Sequence, residues 1–330
     1  MYELIRVGKS TYYINCPAKM GFYVDDGGAY LIDSGNDKDA GRKIDKHLKE
    51  QGWKLKMIIN THSNADHIGG NKVLAERWGC PVFGKGIEAV FTEYPLLESS
   101  FLFGAYPPKE LRNKFLMAQA SSALNMMAKG CDTSAGDGGR KGRDGKTLID
   151  AGAPRIIASE EFTDEFRSLL PAGMEFVNLP GHFFDMVGIK TPDDVWFMAD
   201  CVSSKNIMEK YHISFIYDIR RYLETLGFIE KLNGKLFVPA HTEPQETMKM
   251  LAKLNRDKVN EICKLICEFC CEPVYFEKLL AMIFAHYDLV MDFNQYVLVG
   301  STVKSYLAYL AEEGRVEAFF ENNMLKWKSR

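Results

Sequence analysis

The chain of 330 residues carries 41 Lys and Arg against 44 Asp and Glu, a formal net charge of −3, with 46% hydrophobic and 26% charged residues. That balance excludes a disordered or low-complexity chain and gives no electrostatic reason to expect nucleic acid as the main ligand. The length accommodates one large core, or one core with a small appendage.

The first ten residues contain no apolar stretch of the targeting kind. The longest apolar run, residues 279–291, is short for a membrane span and is interrupted by His286 and Asp288. A cytoplasmic location without a membrane span is therefore expected, and the eight cysteines are read as free thiols.

Residues 12–16, 21–24 and 29–32 are predicted strands, with Asp25-Asp26-Gly27-Gly28 as a hairpin turn. Residues 37–51 are a predicted amphipathic helix, because Ala40, Ile44 and Leu48 recur every fourth position. Residues 56–60 form a predicted buried strand that runs into Thr61-His62. A helix over 70–78 and a short strand over 81–83 follow.

Residues from about 86 to 152 interrupt this pattern and are read as an insertion. Its first half is rich in Phe, Leu, Met and Tyr, with a helix predicted over 109–129. Its second half, residues 130–145, is a loop with six glycines. Residues 139–147 nearly spell a phosphate-binding loop, but five residues instead of four separate Gly139 from Gly145-Lys146-Thr147, so they are read as a surface loop.

Strand patterning returns at 155–158, 175–179, 186–190 and 195–199, with Thr191-Pro192-Asp193-Asp194 turning between the last two. A helix is predicted over 218–232 and a strand over 236–238, ending at Pro239-Ala240-His241. The chain is predicted helical from Glu246. Cys263, Cys267, Cys270 and Cys271 fall at helical spacing there, as a buried stripe in preference to a metal cluster. Beyond Pro273 the pattern predicts a helix, a strand-like 296–299, a helix over 301–313 and two short strands around Glu321-Asn322-Asn323.

The strongest chemical pattern is Thr61-His62-Ser63-Asn64-Ala65-Asp66-His67-Ile68-Gly69-Gly70, a loop at the end of a buried strand. A loop turns successive side chains toward one point while the strand behind it holds them in place. Imidazole and carboxylate are the donors a borderline divalent ion prefers. His182 after Leu179-Pro180-Gly181, Asp200 after the strand 195–199, and His241 after the strand 236–238 occupy equivalent strand ends. Each alone is compatible with a solvated or capping side chain; together they point to a metal centre.

The order and spacing of these residues, with Leu31-Ile32-Asp33-Ser34-Gly35 upstream, resemble the metallo-β-lactamase fold superfamily. That family carries His-x-His-x-Asp-His, then Pro-Gly-His, a strand-end Asp and a late strand-end His. The resemblance covers the chain to about Glu246. It implies an α/β (α+β) fold, an αββα sandwich with metals at one sheet edge. By the same resemblance His62 and His182 belong to a first metal site, and Asp66, His67 and His241 to a second. Asp200 bridges them, and Asp33 orients ligands from behind. One or two divalent ions are expected, zinc first, with iron or manganese as alternatives.

Two departures stand out. The family's second histidine is Asn64 here, whose amide oxygen is a poor zinc ligand. The second site alone fills, both fill with Asn64 as a weak ligand, or another ion such as iron or manganese is preferred. Phe183-Phe184 follows His182 where relatives carry small residues, as a pocket wall or as core packing.

The resemblance implies hydrolysis by metal-activated water, with Asp66 holding that water and moving its proton. A small ester or thioester with an apolar part is the expected substrate; a nuclease and a non-enzymatic ligand-binding or regulatory protein with a partly decayed site are the alternatives. The insertion is read as a lid, a helical subdomain or a homodimer face. Residues 1–250 are read as the catalytic domain and 251–330 as a small helical, winged-helix-like domain. From residue 273 on, six Lys and Arg face seven Asp and Glu, so a structural or substrate-capping tail is favoured over nucleic-acid binding.

Overall fold

The computed structural model describes residues 2–118, 156–159 and 164–330. The expected glycine loop over 130–145, the near phosphate-loop pattern over 139–147, and most of the helix expected over 109–129 lie outside the described residues.

The N-terminal strands follow the alternation of the sequence. β1 (Glu3–Arg6), which the pattern did not reveal, pairs antiparallel with β2 (Thr11–Asn15). β2 pairs with β3 (Met20–Asp25), and β3 with β4 (Gly28–Ile32), through a turn in which Asp26 and Gly27 both have positive φ. That is the backbone a tight hairpin demands, and Asp-Gly supplies it at little strain. α1 (Lys38–Gln51) begins where the Asp37 carboxylate accepts from the amides of Asp39 and Ala40, and ends on Gly52 in the left-handed region. β5 (Lys54–Ile59), β6 (Val82–Lys85) and β7 (Ile156–Ser159) extend the sheet in parallel beyond β4. Seven strands thus stand in sequence order.

A second sheet has the order β11-β10-β9-β8, from β8 (Glu175–Asn178), β9 (Val187–Lys190), β10 (Val195–Ala199) and β11 (Leu236–Pro239). Between the two sheets lie Tyr13, Ile32, Met57, Ile59 and Phe83 from the first, and Val187, Ile189, Phe197 and Val238 from the second. The approach is close: a Cβ on Gly21 would meet the Phe197 ring at 2.4 Å, so only glycine fits there. The outer face of the first sheet is covered by Ile44 and Leu48 of α1 and by Leu74 and Ala75 of the helix Asn71–Trp78. The outer face of the second is covered by helices Ile219–Ile229 and Lys249–Phe269. The result is a helix–sheet–sheet–helix sandwich, the αββα fold expected.

Two expectations fail in the described residues. Residues 109–118 are not the start of a long helix: Lys109–Leu111 is one 3-10 turn, and the Asn113 side chain accepts from the Phe115 amide, closing a local turn instead of propagating a helix. The insertion instead forms two short helices, Ile87–Glu93 and Leu96–Phe103. The strand-like 296–299 lies inside the continuous helix Phe293–Glu312, capped by Asp292. Val297, Val299, Val303 and Leu310 are buried on it, so tertiary packing overrides the β-branched preference of Tyr296-Val297-Leu298-Val299.

The C-terminal sheet pairs β12 (Val274–Tyr275), β14 (Met324–Ser329) and β13 (Val316–Glu321) in the order β12-β14-β13, with Asn322 and Asn323 in the left-handed region at the hairpin turn. Cys263 and Cys270 are buried in the same cluster as Tyr306, Leu307 and Val316, which places them in packing. Among the described residues no helix is long and apolar enough to cross a membrane.

Candidate metal centre

Five strand ends meet at one edge of the sandwich. β4 delivers Asp33, β5 runs into residues 60–67, β8 is followed by His182, β10 by Asp200 and β11 by His241. Two backbone features aim these side chains. Asp33 and Ala199 both have positive φ, +58 and +50, and the β10–β11 register shifts between Phe197 and Ala199. A bulge with a left-handed residue turns the chain sharply, and it re-aims Asp200 into the edge. Gly181, φ +118, serves the same end for His182, because a Cβ there would lie 2.3 Å from the Tyr222 amide nitrogen.

The imidazoles are anchored from behind. His67 Nδ1 lies 2.8 Å from Asp33 Oδ2, which also accepts from Thr61 Oγ1 at 2.8 Å, while Asp33 Oδ1 accepts from the Thr61 amide. Thr61 Oγ1 is 3.1 Å from His62 Nδ1, and His241 Nδ1 is 2.8 Å from the Pro17 carbonyl oxygen. With Nδ1 engaged, each of the three rings presents Nε2 to the common space.

Around that space His241 Nε2 lies 3.2 Å from Asp66 Oδ2 and 3.1 Å from Asp200 Oδ2. His67 Nε2 is 3.2 Å from Asp200 Oδ1, and His182 Nε2 is 3.6 Å from Asp200 Oδ2. Donor atoms of Asp66, His67, Asp200 and His241 all lie within 4.8 Å of one another, as do those of His62, His182 and Asp200. Asp200 is common to both groups, one carboxylate oxygen facing His67 and the other facing His182 and His241.

Three buried atoms here, His62 Nε2, His67 Nε2 and Asp200 Oδ1, have no hydrogen-bond partner. The His67–Asp200 contact is close in distance but not aligned as a hydrogen bond. An unpaired buried polar atom costs about 1–3 kcal/mol, so three of them within two donor groups that share Asp200 describe a receptor for cations. The charges agree. Burial, then His67, holds His62 well below its ordinary pKa, which keeps it neutral. Burial likewise lowers His182. Burial would lower His67 too, but Asp200, Asp66 and Asp33 outweigh it and hold the ring well above its usual value. Against the same pull of burial, Asp200 and Asp66 bring His241 up to about 10. Asp66 and Asp200 are held well below the carboxylate range, because the neighbouring imidazoles outweigh burial. Protons shared among carboxylates and imidazoles at such a point are what a divalent cation displaces on binding.

All the sequence-selected residues, His62, Asn64, Asp66, His67, His182, Asp200 and His241, with Asp33 behind them, therefore stand at one place. His47, His212 and His286 do not. Asn64 is buried; its Oδ1 lies 3.1 Å from His182 Nε2, and its Nδ2 donates to Glu98 Oε1 at 2.7 Å.

Sequence reasoning missed two carboxylates of the insertion. Glu98 is buried, and burial pushes its carboxyl well above the ordinary value while the Asn64 hydrogen bond opposes that shift. Glu88, 1% exposed, accepts from the Ser63 amide at 3.0 Å, from Ser63 Oγ at 2.5 Å and from the Asp185 amide at 2.9 Å. Burial raises it to about 7. The signal available was an acidic residue inside each apolar run, Ile-Glu-Ala-Val-Phe and Leu-Leu-Glu-Ser-Ser-Phe-Leu-Phe.

The centre opens into a cavity of about 380 Å³ lined by Ala18, Asp66, Leu116, Phe215, Leu298 and Lys114 among others. Phe183 is 1% exposed and packs on Phe91 at 5.3 Å, and Phe184 packs on Tyr217 at 4.1 Å. Neither lines the cavity, so of the two readings of Phe183-Phe184 the structure favours core packing; Phe215 supplies the aromatic wall.

Residues 14–241 match the family model described as the metallo-β-lactamase superfamily. A hydroxyacylglutathione hydrolase from Brucella anthropi is 28% identical over 144 residues, 42% of this chain and 48% of that protein. Another from Pelagibacter ubique is 42% identical over 48 residues, 14% of this chain and 20% of that protein. The chain thus spans less than half the length of these curated relatives. A β-lactamase domain protein from Burkholderia ambifaria has the same fold, with a TM-score of 0.66 at 16% identity over 99% of this chain and 94% of that one. A metallo-β-lactamase family protein from Thermus thermophilus gives 0.65 at 17% identity, over 97% and 99%.

Proposed function

The chain belongs to the metallo-β-lactamase superfamily, and from that membership we propose that it is a metal-dependent hydrolase of a small ester or thioester with an apolar acyl part. The observation that carries the reading is that His62 Nε2, His67 Nε2 and Asp200 Oδ1 are buried without partners in two donor groups that share Asp200, and that Asp66, His182, Asp200 and His241 of those groups line a cavity. His62, His182 and Asp200 are the side chains to hold one divalent ion, and Asp66, His67, Asp200 and His241 those to hold a second. The donor set, imidazole and carboxylate, suits zinc first and iron or manganese next.

When bound, such an ion supplies Lewis acidity, which makes water nucleophilic near neutral pH and polarises a scissile carbonyl. The protein's own groups do the rest. Asp66, whose side chain is 40% exposed, is the most open carboxylate of the cluster and faces the cavity. In this reading it accepts a proton from attacking water and passes it toward the leaving group. Asp33 and Thr61 hold His67 and His62 in the ring orientation that keeps Nε2 inward. Leu116, Phe215 and Leu298 form the apolar wall for the acyl part, so the helix Phe293–Glu312 caps the cavity. Lys114 on the same lining suits an anionic leaving group. The names of several relatives, hydroxyacylglutathione hydrolase, support a thioester.

The test is hydrolysis of a hydroxyacyl thioester of glutathione and of nitrophenyl esters, with metal content measured on protein purified without chelator. Turnover that disappears on chelation and returns with zinc is expected. Protein that carries metal yet cleaves neither class of substrate would sink the ester and thioester reading.

A further inference from the structure

The missing histidine at position 64 leaves an amide whose two ends look alike in shape and opposite in chemistry. Its oxygen can face a cation; its NH2 group cannot. Which end faces inward depends on what holds the other. Here the other end meets Glu98, a carboxyl buried on the helix Leu96–Phe103. Asn64 Nδ2 donates to Glu98 Oε1 at 2.7 Å, and Asn64 Oδ1 then lies 3.1 Å from His182 Nε2.

We propose that Glu98 is a positioning residue that makes Asn64 a metal ligand, so that the first position is held by His62 Nε2, His182 Nε2, Asn64 Oδ1 and the shared Asp200. This rests on the metallo-hydrolase reading above. One distance and two chemical arguments carry it. Two atoms each about 2.1 Å from one cation lie roughly 3.0–3.4 Å apart at octahedral to tetrahedral angles. The Asn64–His182 contact, a hydrogen bond of 3.1 Å in this structure, has a separation in that range, beside 3.1 Å for His241–Asp200 and 3.2 Å for His67–Asp200. A carboxyl group keeps an acceptor oxygen whether or not its other oxygen is protonated, so Oε1 can take the Asn64 N–H in either state. A cation at the first position repels the amide NH2, so it selects the same orientation that Glu98 selects. The two effects reinforce one another.

The insertion therefore replaces what the loop lost. A histidine at position 64 would bring its own ligand atom; an asparagine needs a neighbour to turn it, and that neighbour is supplied from outside the sandwich. Two imidazoles with two oxygen donors also make a harder set than three imidazoles with one, which shifts preference toward harder divalent ions.

The experiment uses the full chain, stripped by chelator and reloaded with Co(II). Metal per chain, the two affinities by competition with a chromophoric chelator, and the visible Co(II) absorption are read together. Wild type is expected to bind two ions. Glu98→Leu should weaken one site about tenfold or more, in the range seen when groups behind a ligand are removed. The other site should keep its affinity, which also reports that the variant is folded. Asn64→Ala should show the same loss, and the double variant no more than either single one. Glu98→Gln, whose amide oxygen can accept the same bond, should recover most of the affinity. The proposal is overturned if wild type binds one ion, if Asn64→Ala or Glu98→Leu keeps both affinities, or if the two losses add. Wild type that binds no ion overturns the metallo-hydrolase reading itself.

Discussion

The two halves of the centre are braced from different places. On one half, His67 leans on Asp33 and His241 on the Pro17 carbonyl, both belonging to the sandwich. On the other, Ser63, Asn64 and the loop bearing His182 are tied by Glu88 and Glu98, both belonging to the insertion. The half that keeps every residue of the family pattern needs nothing beyond the fold. The half that has lost a histidine keeps His62 on Thr61 of the sandwich, but its Ser63, Asn64 and His182 loop are held by added chain. An insertion beside a site is thus part of the site's framework, and its helices Ile87–Glu93 and Leu96–Phe103 earn their position through two buried carboxylates, not as a cover alone.

The comparison can be broken most forcefully at the residue both halves share. Asp200→Ala removes an oxygen facing each group of ligands, so hydrolysis should fall by about a thousandfold or more, with both ions lost; steady-state kinetics and metal analysis read it. Retention of one full-affinity ion would show that the halves are independent.

The next largest effect belongs to the insertion. Glu88→Ala strands the Ser63 amide, the Ser63 hydroxyl and the Asp185 amide in a buried place, at a cost of about 3 kcal/mol or more in unfolding free energy. Denaturant unfolding of the metal-free protein measures it, and a change under about 0.5 kcal/mol would mean the insertion does not brace the loops. pH sharpens the point. Glu88 is raised from an ordinary 4.5 to about 7, so its favourable contribution is full below 4.5 and is lost as pH rises through about 7. Glu88→Gln cannot ionise, so its stability should fall less than wild type's across that window.

The smallest effect is expected from the sandwich side. Asp33→Asn keeps the shape but loses the charge that orients His67 and Thr61, and should weaken metal binding at the Asp66–His67–His241 half by roughly 10–100-fold. Glu98 variants should leave that half alone; if Asp33→Asn weakens both halves equally, the division between them does not hold.

Much of this was legible in the chain. The strands β2 to β11, the helix α1 and the histidines and aspartates at strand ends all follow from periodicity, turn residues and donor chemistry, which are local properties. β1 was not legible, because Glu3 to Arg6 is half-exposed and lacks alternation. The helix over 109–129 failed within the described residues, because composition alone does not register a side chain such as Asn113 closing a turn. Residues 296–299 read as a strand, because β-branched and aromatic residues prefer one in isolation; burial of Val297 and Val299 on a long helix reversed that.

By itself, then, the sequence carried the family and, through that resemblance, the αββα sandwich, and it singled out the histidines and aspartates that stand together at one sheet edge, because residue type and spacing along the chain are local properties. Only the tertiary structure decided what Asn64 faces, that Phe183 is core and Phe215 is wall, and that Glu88 and Glu98 reach back from an insertion to the ligand loops. Those outcomes depend on pairs 25 and 34 residues apart for the carboxylates, and 118 apart for Asn64 and His182. Contact at such separations is set by how the layers pack, and packing leaves no periodic trace in the chain.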